Sequence, residues 1–384
     1  MIAMPAIRLE NITVSRGGKQ ILHGFDLEIR DGEYFALVGE TGAGKTTILN
    51  LINGLIVPDE GRVLFDDKDI TKSPVETRDV GMVFENYALF PHYTVYKNVA
   101  YSRRVKDRDV NETRKAAKEI LSLVLIPNRD DALPKELSGG MQQRVALARA
   151  LMCESGILLF DDPFSALDAG LRMSLRIELK NLARELGTTV VHCTNDVEEA
   201  MMVCDRLAIM RDGRIVQLGT PDEIYYRPSD LYVASFISDV NLFKCDVLKL
   251  EKEQGLYVLA HKRGNEEEAR EFRVIAPERA ATFKEGEQVL LCVRAEHFYI
   301  NHGFRKKPNR VHGVIDDIRF LGHVIRYEVK DDFGRRYKIQ RFVNAKTKYM
   351  KFYKGETVTL GFHYKLGLLF ECPAEMELKQ CDNL

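Results

Sequence analysis

Two stretches of this sequence have the residue types needed to hold phosphate. Residues 39 to 46 read GETGAGKT. Gly39, Glu40, Thr41, Gly42, Ala43 and Gly44 offer backbone that can wrap phosphate oxygens, and Lys45 can reach the terminal phosphates. The Thr46 hydroxyl is placed for Mg²⁺, with Thr47 next in the helix that should follow. The second stretch, LSGGMQQRVALARAL, begins at Leu137. Ser138 can cap a helix, and Gly139 and Gly140 let its first turn, completed by Met141 and Gln142, approach another molecule. Exposed backbone N–H groups there favour a phosphate. A few residues on, the apolar run GILLF ends in Asp161 and Asp162, which reads as a buried strand followed by a polar turn.

The elements around these stretches follow an alternating βα pattern. Residues 7 to 14 and 25 to 29 read as paired strands about a Gly17-Gly18 turn, and residues 34 to 38 as the buried strand that leads into GETGAGKT. From about residue 86 to 137 charged helical patterns dominate, such as residues 110 to 124, between Pro91 and Pro134. Residues 156 to 160 and 188 to 193 return to buried strands. Beyond residue 237 the character changes to short β-rich runs at 256–260, 272–275, 289–293, 324–329, 337–342 and 357–362, with Asp331-Asp332-Phe333-Gly334 as a turn between two of them. Such strands suggest a small barrel of the OB type. The expected division is 1–237 and 238–384.

A chain of 384 residues supports two or three domains. Lys and Arg number 56 against 57 Asp and Glu, so charge gives no reason to expect a nucleic-acid partner. The basic cluster Arg305-Lys306-Lys307 with Arg310 reads as a solvated loop. Seven cysteines without C-x-x-C spacing suggest reduced thiols. MIAMPAIRLE lacks the basic start and apolar core of a secretory signal. No apolar stretch reaches the roughly 18 to 20 residues needed to cross a bilayer, so any spans should come from other chains.

Together, GETGAGKT, LSGGMQQ and GILLFDD resemble the nucleotide-binding subunits of ABC transporters. The region from RDGRIVQLGTPDEI onward resembles importer-type members with a C-terminal TOBE-type regulatory domain, found with carbohydrate and polyamine importers. The resemblance implies a P-loop α/β domain with a helical subdomain at about 86–137. It implies ATP held with Mg²⁺ between the P-loop of one subunit and the signature, Ser138 to Gln142, of another. Ser165, Ala166, Leu167 and Asp168 match the D-loop that crosses such a dimer. Implied partners are a second ATPase chain (the same or a different one), two transmembrane permeases and, indirectly, an external solute-binding protein. The implied location is the cytoplasmic face of the cell membrane. The junction FISDVNLFKCDVL resembles that of spermidine/putrescine importer ATPases better than that of maltose-type ones. Ribosome- or DNA-acting members of the family carry two cassettes or a long coiled-coil insertion, and this chain has neither.

The resemblance also exposes departures. Asp161 matches the carboxylate that helps hold Mg²⁺, but the water-orienting glutamate expected next is Asp162. A shift of about 1 Å in a reacting group can cost on the order of a hundredfold in rate. Glu85 replaces the Q-loop glutamine. At about 4 Å and an effective dielectric near 20 its charge is worth roughly 4 kcal/mol toward Mg²⁺ or against the γ-phosphate, so it could be a further metal ligand, a substitute base or a brake. Asn195 replaces the switch histidine; an amide can donate to phosphate but cannot become cationic. His192 should be a strand residue pointing away from the phosphate. Arg16 takes the position of the adenine-stacking aromatic, and a guanidinium can also stack. Altered residues on the chain's own site beside an intact signature suggest one half of an ATPase heterodimer. A slow homodimer, ordinary turnover and a regulatory module poor in hydrolysis remain open. Tyr87-Ala88-Leu89-Phe90-Pro91 corresponds to part of the groove that receives a permease helix.

Overall fold

The computed structural model describes residues 5–251, 255–262, 269–275, 283–300, 309–344 and 352–372. The basic cluster at 305–307 lies outside them. The chain divides into two compact units, Met1–Tyr226 and Arg227–Leu384. The expected border at residue 237 falls at the end of a short helix, Leu231–Ile237, whose Ala234 packs with Leu242, Leu290 and Cys292 of the second unit.

The first unit is built on a six-stranded sheet. Its order is Arg214–Gly219, Arg206–Arg211, Tyr34–Gly39, Thr189–Thr194, Ile157–Asp161 and Val80–Val83. All neighbours are parallel except the first pair. Tyr34–Gly39, Ile157–Asp161 and Thr189–Thr194 are buried along their whole length, which is why they read as unbroken apolar runs rather than alternating ones. A second, antiparallel sheet pairs Ile7–Arg16 with both Lys19–Ile29 and Glu60–Phe65. Ile48, Leu49, Leu51 and Ile52 of the helix Lys45–Asn53 join side chains of both sheets in one apolar core. The buried Arg78 closes that helix's far end by donating to the carbonyls of Leu51 (2.7 Å) and Ile52 (3.0 Å). The expected helical region contains Val95–Val99, Tyr101–Val105 and Val110–Leu123.

Among the described residues, the second unit is built on two five-stranded antiparallel sheets that enclose a core in which Phe243, Phe272 and Leu291 meet Val311, Tyr337 and Phe362. Two buried asparagines tie the sheets by pairing with backbone like ladder residues. Asn241 exchanges bonds with the N–H and carbonyl of Lys338, and Asn309 with those of Arg273. The Asp331–Gly334 turn joins Val324–Asp331 to Arg336–Phe342 as expected. Val240–Glu251 and Asn309–Phe320 are long strands that the runs of apolar residues did not reveal. Among the described residues no helix is long and apolar enough to cross a membrane.

Candidate active site: a phosphate cleft at the strand ends

The strands Tyr34–Gly39, Ile157–Asp161 and Thr189–Thr194 all end at one edge of the sheet, the place where open α/β sheets bind ligands. The turn after Tyr34–Gly39 is shaped by glycine. A Cβ on Gly39 would stand 2.5 Å from the Met210 carbonyl oxygen, and Gly44, at φ +104°, sits in a conformation that side chains rarely adopt. Ala43 is buried beneath, with its N–H on the Glu40 carbonyl at 3.1 Å. The helix that follows therefore starts at Lys45 with its first N–H groups facing the turn.

A cleft of about 390 Å³ opens over this turn, lined by Thr41, Gly42, Gly44, Lys45, Thr46 and Thr47 together with Glu85, Asp161, Asp162 and Asn195. Six of the nine expected phosphate-binding residues, both strand-end aspartates, the Q-loop position and the switch position thus share one cavity, while Gly39, Glu40 and Ala43 do not line it. The Lys45 ammonium donates to the carbonyls of Gly39 (2.7 Å) and Glu40 (3.0 Å) and to Asn195 Oδ1 (2.7 Å). With its oxygen accepting from Lys45, the Asn195 amide still has its two N–H donors. Thr46 Oγ1 donates to Asp161 Oδ1 at 3.1 Å. Burial pulls the Lys45 pKa down, although Cys193 and the carboxylates of Asp161, Asp162 and Glu85 oppose it. Burial likewise pushes Asp161 and Asp162 up.

Asp162 is more than a shortened glutamate. Its backbone is left-handed, at φ +49°, a region that aspartate and asparagine visit more readily than longer side chains. The geometry is held from three sides. Its N–H donates to the Cys193 carbonyl at 2.9 Å, and its own carbonyl accepts from Ser165 Oγ (3.2 Å) and Gln143 Nε2 (3.3 Å).

Other expected residues stand outside the cleft lining. Ser138 caps the helix Gly139–Leu151, accepting from the Met141 N–H at 3.3 Å. Gly139 faces open space, while Gly140 lies close to the Ala166 carbonyl oxygen. Gln142 spends its amide on the carbonyls of Pro134 and Leu137, in its own loop. Its neighbour Gln143 links this helix to the D-loop, accepting from the Ala166 N–H at 3.2 Å; sequence reasoning missed it, and the only signal was the second glutamine of a pair. Leu167 is buried, and Asp168 caps the helix Ala169–Leu186. Arg16 is exposed at the hairpin end and does not line the cleft, whose corresponding wall is Lys19, Gln20, Ile21 and His23. Among the stretch after Glu85, Phe90 clusters with Tyr93 and Tyr101 at centroid distances of 5.4 and 4.6 Å. Arg149 holds the carbonyls of Tyr87 and Ala88, two residues with left-handed backbone.

Comparison with known proteins agrees with this geometry. Residues 22–165 match the family model described as ABC transporter, and residues 291–370 the TOBE domain. The spermidine/putrescine import ATP-binding protein of Thermotoga maritima is 38% identical over 338 residues, covering 87% of this chain and 89% of that one. Its counterpart from Nitratidesulfovibrio vulgaris is 37% identical over 359 residues, covering 93% and 95%. Among solved structures, the dimeric ATP-binding cassette MJ0796 bound to ADP and Pi is similar at a TM-score of 0.53 and 33% identity, covering 56% of this chain and 98% of that one. The chain belongs to the importer-type ATP-binding proteins of the ABC transporter family that end in a TOBE domain.

Proposed function

We propose that this chain binds ATP with Mg²⁺ in the Lys45 cleft and powers uptake of a polyamine of the spermidine/putrescine class, its own site hydrolysing ATP slowly. The observation that carries the reading is the meeting of Lys45, Thr46, Asp161 and Asn195 through direct hydrogen bonds at the ends of three strands. Lys45 holds the terminal phosphates, and the Asn195 NH₂ donates to the γ-phosphate. The donor set suits Mg²⁺, which takes one or two carboxylates plus phosphate oxygens and water; Thr46 and Asp161 would hold it, with Glu85 in reach of the same cleft. The ion would neutralise phosphate charge. Asp162 orients the attacking water, and its raised pKa leaves it a poorer acceptor at acid pH.

The Ser138–Gln142 signature and the Ser165–Asp168 loop serve the ATP of a second ATPase subunit. Arg16 reaches adenine only if the hairpin end moves onto the nucleotide. The Phe90–Tyr93–Tyr101 cluster takes a permease helix, which would hold the chain on the cytoplasmic face of the membrane. The polyamine reading rests on the relatives' names and on the FISDVNLFKCDVL junction. Spermidine uptake by the complex reconstituted in vesicles tests it: uptake that stops with Lys45→Ala supports the proposal, and ATP turnover without any polyamine uptake refutes the substrate. The native mass of the complex separates two copies of this chain from one copy beside a different ATPase.

A further inference from the structure

We infer that His192 is a positioning residue for the phosphate end of the cleft, acting on Asn195 through Glu199 and Asp196. His192 lies in the strand Thr189–Thr194 with no exposed surface, its ring against Phe160 and Phe164. Both ring nitrogens are bonded: Nδ1 to the Tyr34 hydroxyl at 3.1 Å and Nε2 to Glu199 Oε1 at 2.7 Å. The ring is thus held on both sides, by the Tyr34 hydroxyl at Nδ1 and by the Glu199 carboxylate, which accepts from the Nε2–H.

Glu199 then hands the constraint on. Its other oxygen accepts from Arg176, which also donates to Asp196 Oδ2 at 3.2 Å. Asp196 Oδ1 accepts from the Glu199 N–H at 3.0 Å, and the Asp196 N–H donates to Thr194 Oγ1 at 3.0 Å. Asn195 is pinned between those two residues, and it is the residue that meets Lys45 at 2.7 Å. The same strand supplies the Cys193 carbonyl that fixes Asp162. Arg176 belongs to the helix Ala169–Leu186, so the relay ties that helix to the strand end that carries Asn195. Burial alone would raise the Glu199 pKa, but the bond from His192 and its charge, followed by the charge of Arg176 and its bond, outweigh it and hold the carboxyl below its usual range. The acceptor in the relay is therefore a carboxylate.

This inference rests on the proposed role of Asn195 at the terminal phosphate, and the test keeps the two apart. Steady-state ATP hydrolysis is measured on the complex purified with the full chain, for His192→Phe, His192→Gln, Asn195→Ala and the double variant His192→Phe/Asn195→Ala. His192→Phe should lower kcat by about fivefold to tenfold with KM changed less than about twofold, because binding contacts are untouched. His192→Gln, which can accept from Tyr34 and donate to Glu199, should recover most of the rate. The double variant should be no slower than Asn195→Ala, since a residue that acts through another adds nothing once that one is gone. Additive losses in the double variant, an unchanged kcat in His192→Phe, or a His192→Gln rate as low as that of His192→Phe would overturn the inference. If His192→Phe does not fold, the His192→Gln rate and Tyr34→Phe, expected to lower kcat at constant KM, decide in its place. An unchanged kcat in Asn195→Ala would instead remove the proposed role of Asn195.

Discussion

His192 and His261 are both buried without exposed surface, one in an interior strand of the α/β unit and the other in the β unit. At His192 both nitrogens have partners and the chain of bonds continues through two acidic residues and an arginine to the cleft. At His261, Nδ1 meets the Lys244 carbonyl at 2.7 Å while Nε2 has no partner among the described residues. Burial pushes the His261 pKa down to about 4, reinforced by Arg335 and Arg270. The difference is one of connection: a buried polar ring wired on both sides transmits position, whereas one wired on a single side adds a cost to be borne by apolar packing.

The comparison can be broken most forcefully at Arg176. Arg176→Leu leaves Glu199 and Asp196 without their cation, and loss of one partner of a buried pair costs roughly 3 to 5 kcal/mol; a denaturant melt of the first unit should show it. A loss under about 1 kcal/mol would mean that the relay is loosely held.

The next effect lies in the β unit. The folded pKa of His261, about 4, is below the ordinary 6.5, so the unfolded chain takes up the proton first as pH falls. This contribution is intact above about pH 6.5 and is lost toward pH 4, on the order of 3 kcal/mol across the window. His261→Phe should flatten that acid limb; an unchanged slope would place the acid sensitivity elsewhere.

Asp162 shifts in the other direction. Its folded pKa is raised by burial first and by the charge of Glu199 second. Stability attributable to it therefore falls as pH rises through that raised value, and at neutral pH the ionised carboxylate is a burden. Asp162→Asn should raise the melting midpoint at pH 7 slightly while lowering ATP turnover. A lower midpoint would contradict the sign. Smallest of all, Tyr337→Phe removes a 2.7 Å bond to Asp331, which Arg270 still pairs at 2.9 Å. About 1 kcal/mol of stability should be lost from the β unit.

Much of the α/β unit could be read from the sequence because its strands are buried on both faces and its phosphate turn needs glycine at set positions. Tyr34–Gly39 and the GETGAGKT turn are cases in point. The long strands Val240–Glu251 and Asn309–Phe320 escaped notice for the opposite reason. In the latter Val311 and Ile315 are buried while Arg310 and His312 face out, so polar residues broke the apolar run. Asp162 was legible as a carboxylate, but its left-handed backbone was not, because φ depends on three hydrogen bonds, two of which, with Gln143 and Cys193, involve distant segments. Nor could spacing reveal that His192, Glu199, Asp196 and Arg176 converge, since that depends on how two helices and a strand end are packed.

The most direct test is the saturated ATP turnover of the complex carrying Asp162→Glu with Asn195→His, beside that of the natural chain. Restoring reach at one position and a cationic donor at the other should raise turnover by at least about tenfold if the site is slowed as proposed. An equal or lower turnover at saturating ATP, with the melting midpoint unchanged and so no strain at the left-handed Asp162 backbone, would show that Glu85, Asp162 and Asn195 already form a fully competent site, and would contradict the account.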